Sequence, residues 1–288
     1  MGKPVNSRSQ QQTSATALDE AAVTALPPAP GPVDKAMEVL SALAENGAPH
    51  RLADLARHTG LAKPTVHRLL RALAANGYAE PAEGGSYRPG PRLLGLAASV
   101  LADDAATRQA APVLEELRIR TGLFASYAVR DDRTLVHLRV HAPAQGPAVG
   151  LRPGTREAVT AGAAGLALLA ALPAGDAEDL LTGPDGAPAD EATRTALAAA
   201  ARDGYAADSA DSWRDRRALA APVRGASGHP VGVLVLTGLA FTLDEAAARL
   251  YGPMVRSAAA SVSASLAAQP GARLGLVADP GQGAGRTR

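Results

Sequence analysis

Between His50 and Asn76 the cations Arg51, Arg57, Lys63, Arg68 and Arg71 stand against a single acid, Asp54, in a chain whose formal net charge is only +1. Clustered guanidinium and ammonium groups suit phosphate, and a guanidinium can also bond guanine O6 and N7 together. The local charge therefore points to a polyanion, with duplex DNA the natural one. The competing reading is a solvated basic face on an ordinary three-helix packing unit, and charge alone does not separate the two.

Other groupings point away from catalysis. His137 and His141 are four apart in HLRVH. On a helix they would meet, but their surroundings read as strand, which holds them roughly 13 Å apart and disfavours a metal site. Asp208, Asp211 and Asp215 lie among Arg214, Arg216 and Arg217, so simple ion pairing accounts for them. The absence of cysteine excludes disulfides, thiolate metal sites and cysteine nucleophiles. Neither G-x-S-x-G nor G-x-x-x-x-G-K-[ST] occurs, and no nucleophile stands beside a base, so we expect no enzyme, no cofactor and no metal.

The elements that present the cations follow from periodicity. Leu52, Leu55 and Ala56 share one face of a first helix, and Gly60 sits where that helix ends. Ala56, Gly60 and Val66 hold the fifth, ninth and fifteenth places counted from Leu52, where a helix-turn-helix wants a small residue, a turn glycine and a buried apolar one. Pro64 suits the first helical position of the second helix, with Lys63 just before it. At about 100° per residue, Val66, Leu69, Leu70 and Leu73 make an apolar stripe. Pro64, Arg68, Arg71 and Ala75 point the opposite way, flanked by Thr65 and His67.

A length of 288 residues with 47% hydrophobic content accommodates two medium domains. The first thirty residues are polar and then Pro-rich, without the pattern of a secretory signal, and later apolar runs are too short to span a bilayer. We expect a soluble cytoplasmic protein. Residues 1–32 read as a disordered arm. Val33 to Asn46 reads as an amphipathic helix, and Tyr78 to Arg88 as a small hairpin turning at Glu83-Gly84-Gly85, which makes the helix-turn-helix winged. Arg88, on the wing, either reaches backbone phosphate or pairs with Glu80 or Glu83. Arg92 to Asp104 is apolar over more than half its circumference, as expected of a linker helix that also packs against another subunit. Beyond it, Gln109 to Arg120 reads as helix. Leu123–Val129 and Thr134–Val140 read as paired strands, as do Ala218–Val223 and Val231–Thr237. Helices are expected over Gly162–Ala171, Asp176–Leu181, Asp190–Arg202 and Asp244–Ala267, and a frayed tail over 269–288. The fold class is α+β: a winged helix-turn-helix domain over 33–91, a linker helix over 92–107 and a mixed α/β domain over 108–268.

With these parts in this order the chain resembles the IclR family of bacterial transcriptional regulators. The resemblance rests on LADLARHTGLAKPTVHRLL, YRPGPRLLGLA, APVLEELRIRTG, AGAAGLALLA, and RALAAPV followed by GVLVLTG. It implies a GAF-like C-terminal domain that binds a small organic effector, dimers or dimers of dimers, and a repressor or activator acting on a roughly palindromic operator. We expect a repressor. A DNA-binding scaffold without ligand response and, more distantly, an enzyme acting on the small molecule are the alternatives. The DNA-facing positions it implies are Lys63, Thr65, His67, Arg68 and Arg71, to which the charge pattern adds Arg51 and Arg88. For His67, interface contact and packed surface position both stand. The effector pocket it implies maps onto Ala163, Ala164, Asp208, Ala218, Val235 and Thr237. Trp213 either lines the pocket mouth or anchors the core. Where the family often has His-Ala-Thr or His-Ala-Ser before the helix glycine, an Arg-Cys pair entering the next strand and two serines on the last one, this chain has Thr160-Ala161-Gly162, Arg217-Ala218, and Val235 with Thr237, so the polar anchors are thinned. The expected ligand is accordingly larger or less polar than a short oxo-acid, with Asp208 and Thr237 as the remaining polar groups.

Overall fold

The computed structural model describes residues 31–45, 49–145, 149–182, 188–208 and 215–269. The expected arm before residue 31, the tail after residue 269, the helix end at Asn46-Gly47, and Asp211, Trp213 and Arg214 all lie outside the described residues. The chain divides between Leu93 and Leu94 into two compact units.

In the first unit α1 (Pro32–Ala44) is followed by a two-residue strand β1 (His50–Arg51), then α2 (Leu52–Thr59) and α3 (Lys63–Ala75). Val39, Leu43, Leu55, Val66 and Leu70 from the three helices close a core in which each is 0–1% exposed. On α2 and α3 these belong to the apolar faces that the spacing predicts, whereas on α1, read as apolar at Val33, Ala36, Met37, Leu40 and Leu43, Val39 is buried with Leu43 and Val33 and Met37 are 70% and 52% exposed. Gly60 ends α2 at φ 66°, a left-handed conformation that costs glycine nothing. The turn to α3 follows, and α3 begins at Lys63 with Ala62 as its cap, so Pro64 is its second residue rather than its first. Either position spares an intrahelical N–H. The strands β2 (Ala79–Ala82) and β3 (Ser86–Pro89) form the hairpin, and β1 adds to it in the order β1-β3-β2. The wing is thus a three-stranded sheet rather than a two-stranded one. A strand of two residues leaves no alternation to read.

Next comes α4 (Pro91–Asp103), the expected linker helix. Its first turn is held by the Arg92 guanidinium, which lies 5.3 Å from the centre of the Tyr78 ring and donates to the Asn76 carbonyl. None of its residues is buried, and Leu94, Leu96 and Val100 are 65%, 51% and 44% exposed.

In the second unit α5 (Ala105–Thr121) starts at a cap where the Asp104 carboxylate accepts from the Thr107 N–H at 2.7 Å. It begins four residues before the expected Gln109, inside the stretch read as linker. Ala105, Ala106 and Ala110 are buried, but alanine is too common on any helix face to signal the start. The hairpin β4 (Phe124–Asp131) and β5 (Thr134–His141) is followed by a short edge strand, β6 (Arg156–Ala158), which the sequence did not reveal. Then come α6 (Gly162–Leu169), α7 (Ala174–Leu181), α8 (Glu191–Asp203), a two-residue strand β7 (Ala206–Ala207), the pair β8 (Arg216–Arg224) and β9 (Pro230–Leu239), and α9 (Glu245–Ala267). The strands make one antiparallel sheet in the order β6-β5-β4-β9-β8-β7.

Alternation along the strands divides the core. Tyr127, Leu219, Leu234 and Leu236 pack with Leu114 of α5 and Val255 and Val262 of α9. On the opposite face Ala128, Ala220, Val233 and Val235 pack with Leu168 of α6. With helices on both faces, β9 is buried from Pro230 to Gly238. The Tyr127 hydroxyl donates to Val231 O at 3.1 Å, and burial, with Asp104 nearby, pushes it well above the usual phenol range. Among the described residues no helix is long and apolar enough to cross a membrane.

Candidate nucleic-acid interface and ligand pocket

The cations that look alike in the sequence separate in the structure. Arg57 pairs with Asp54, and Arg88 gives two N–H groups to Glu80 Oε2 at 3.0 and 2.8 Å. Lys63, His67, Arg68 and Arg71 are exposed on α3, with Thr65 half-buried beside them. None of those exposed side chains has a hydrogen-bond or ion-pair partner among the described residues. Arg51 is exposed where β1 meets α2, paired through its backbone to Ser86. Of the alternatives for Arg88, then, the Glu80 pair is the one formed. The pair is exposed, worth about 0–1 kcal/mol, and phosphate can compete for the guanidinium. The N-terminus of α3 adds backbone N–H groups that no side chain caps, beside Lys63. A bare basic face on a short helix, braced from behind by a closed apolar core, is a surface for a groove of DNA.

In the second unit Ala163, Ala164, Asp208, Ala218, Val235 and Thr237 line one cavity between α6 and the β8–β9 pair. They lie up to seventy-four positions apart in the chain (237 − 163) and meet because α6 crosses the strands on one face. Asp208 is the hinge of the arrangement. Its carboxylate accepts from Ala163 N–H at 2.6 Å and from Ala218 N–H at 2.8 Å, tying the start of α6 to β8. Burial raises its pKa above the usual carboxylate range, and the two backbone N–H groups oppose that. The ion pairing read from the sequence is thus replaced, for this carboxylate, by backbone donors.

The expectation that Asp208 and Thr237 are the only polar groups of the pocket is corrected. His137, Glu157, Arg216 and Arg217 line the same cavity. They come from β5, β6 and β8, and nothing in the local sequence of any one strand announces the others. His137, weighed only as a metal ligand, is buried, with Nδ1 3.0 Å from Ser126 Oγ and Nε2 3.2 Å from Glu157 Oε1. His141, as the strand reading requires, makes a different contact, Nδ1 2.9 Å from Glu115 Oε2. That contact and the stronger one from Arg118 hold the Glu115 carboxyl down at about 2. The set Ser126, His137 and Glu157 is a hydroxyl beside a base beside an acid, a pairing the sequence reading did not find. It has the elements of an activated nucleophile. Ser126 is fully buried and off the cavity wall, which leaves its hydroxyl without access to a substrate. The space left among the lining side chains is only about 20 Å³, enough for one water.

Asp208→Ala removes the acceptor from two buried N–H groups. It is expected to destabilise this unit by about 2–4 kcal/mol in urea unfolding. The pH dependence carries the sign of the raised pKa. The folded state holds this proton more tightly than the unfolded one, so the contribution is full below the ordinary value of 3.8 and is lost as pH rises through the folded value. Asp208→Asn is expected to remove that drift, read as flatter stability across this range than in the parent.

A helix-turn-helix whose second helix presents an exposed basic face, in one chain with an antiparallel-sheet domain that holds a polar cavity, is the plan of a transcriptional regulator. Comparison with known proteins narrows the class. The IclR helix-turn-helix domain matches residues 32–83, and the C-terminal domain of the bacterial transcriptional regulator IclR matches residues 99–264. The chain is 28% identical to the HTH-type transcriptional regulator XynR of Escherichia coli over 81% of its own length and 96% of that protein. It is 32% identical to the glycerol operon regulatory protein of Streptomyces griseus over 82% and 96%. In fold it resembles the crystal structure of an IclR homologue from Microbacterium hydrocarbonoxydans complexed with 4-hydroxybenzoate, with a TM-score of 0.67 at 23% identity, covering 83% of this chain and all of that one (100%). The chain belongs to the IclR family of DNA-binding transcriptional regulators. These relatives are named as regulators, not as enzymes.

Proposed function

We propose that this regulator is a repressor whose operator affinity is set by a small organic effector held between α6 and β8–β9, and that it acts in the cytoplasm as a homodimer or a dimer of dimers. The bare cationic face of α3 carries the reading. Two such helices presented by a dimer enter successive major grooves about 34 Å apart, which calls for a roughly palindromic operator. Arg68 reads a base edge, while Lys63, Thr65, Arg71, Arg51 and Arg88 serve the phosphates, and His67 flanks them. The effector favours one arrangement of the paired α4 helices. About 1.4 kcal/mol of preference changes affinity tenfold, within reach of a few pocket contacts. The ligand carried by the Microbacterium homologue supports a small-molecule role for the second domain.

Association is expected to run through α4, whose apolar side chains stand in solvent. Leu94→Glu with Val100→Glu is expected to convert dimer to monomer in sedimentation velocity at micromolar concentration, leaving each unit folded. The control mechanism is tested by titrating operator binding with candidate metabolites. A change in affinity supports the switch, indifference supports a scaffold, and consumption of the compound supports an enzyme.

A further inference from the structure

Beside the polar cavity lies a second concavity of about 150 Å³, walled by Leu123, Phe124, Pro143, Val149 and Leu239. Thr237 lines both. Arg216 lines the polar cavity and is tied to two residues of the second one, facing Leu239 across the β8–β9 ladder and donating to Val149 O at 3.4 Å. Behind it Phe124 pairs with Thr237 across β4 and β9. We infer that the effector site has two chambers, and that its ligand is a compact apolar molecule bearing a hydroxyl. The aryl or short alkyl body fills the outer chamber, and the hydroxyl passes Thr237 into the inner one. This inference rests on the effector reading above.

The two volumes decide how the ligand divides. The inner space of about 20 Å³ takes one polar group and no carbon skeleton, whereas about 150 Å³, walled by the five apolar side chains with Gln145 and Thr242 also on its lining, has room for a ring the size of benzene. Charge decides the head. Glu157 and Asp208 already place two carboxylates on the inner cavity, opposite the guanidinium groups of Arg216 and Arg217. A hydroxyl donates to a carboxylate and accepts from a guanidinium or from the Thr237 hydroxyl, so each wall is satisfied. A carboxylate head would bring a third anion beside Asp208 and Glu157, where burial already raises the pKa of Asp208.

The test is thermal unfolding and calorimetry of the full chain with four probes: 4-methylphenol, toluene, benzoate and glycerol. At about ten times its Kd, 4-methylphenol is expected to raise Tm by roughly 3–5 °C. Toluene, lacking the head, and glycerol, lacking the body, are expected to leave Tm unchanged, and benzoate to bind at least about tenfold more weakly than 4-methylphenol. Leu239→Trp fills the outer chamber and is expected to weaken 4-methylphenol about tenfold or more. Pro143→Trp fills it from the rim, and serves if Leu239→Trp lowers the Tm of the free protein. Tight binding of glycerol alone, preference for benzoate, or affinity for 4-methylphenol that neither tryptophan changes overturns the two-chamber assignment while leaving an effector site in place. Silence from all four probes also overturns it. The effector reading itself falls only if the metabolite titration of operator binding is silent as well.

Discussion

Replacing Arg68 with alanine is expected to cost about 1–3 kcal/mol of operator binding, roughly 5- to 150-fold, and to relax the preference at one base pair of each half-site. The size follows from what the side chain is free to do. Arg68 stands on the exposed face of α3 with no partner to release among the described residues, so none of its binding energy is spent breaking a contact with them. A guanidinium presented this way bonds both acceptors on the guanine edge, and removing it leaves those acceptors to water. Lys63→Ala is expected to behave differently. Its ammonium stands at the uncapped start of the same helix, a place that suits phosphate rather than a base edge. It should weaken all sequences alike and reduce the slope of log K against log salt by about one. Fluorescence anisotropy with operator and scrambled duplexes, at two or more salt concentrations, separates these patterns.

Gly165→Ala is expected to have the largest effect on stability. A methyl group there would stand 2.0 Å from the carbonyl oxygen of Val159 and 2.8 Å from its carbonyl carbon, so the obstacle is backbone rather than a side chain that can swing away. That backbone is itself fixed, since the Val159 N–H donates to Arg133 O at 2.9 Å and the residue is 1% exposed. The helix must therefore lift, carrying Ala163 off the Asp208 carboxylate. The expected loss is about 3 kcal/mol or more, a fall in Tm of roughly 6–12 °C at about 2–4 °C per kcal/mol. Gly175 in α7 is the control. No atom lies within 4 Å of its added methyl, and Gly175→Ala is expected to be neutral or to gain about 0.5–1 kcal/mol from helix propensity alone.

The DNA-reading unit was legible because its signals are local. The stripe Val66, Leu69, Leu70, Leu73, the glycine at position 60 and the charges of one helix all fall within twenty-four positions (50 to 73). The strand pairs were legible for the same reason, each turning over a few residues. What stayed hidden depends on distance along the chain. Strand β1 has two residues and β6 three, too short for an alternating pattern, yet β6 brings Glu157 to His137. The family resemblance marked Ala163, Asp208, Ala218 and Thr237, and these do share one cavity. It did not mark His137, Glu157 or Arg216, whose place on the cavity wall comes from strand order in the sheet. Nor did sequence spacing distinguish Arg57 and Arg88, each bound to an acid, from Arg68 and Arg71, each without one among the described residues.

The most direct test is footprinting of genomic fragments retained by the protein, run in parallel with a variant in which Lys63, Arg68 and Arg71 are all alanine. The parent is expected to protect a roughly palindromic site with half-sites one or more helical turns apart, about 10–10.5 base pairs per turn. The variant is expected to lose that protection while its unfolding curve stays the same. No protected site with the parent, or equal protection by the variant, would mean that the outward face of α3 does not read DNA.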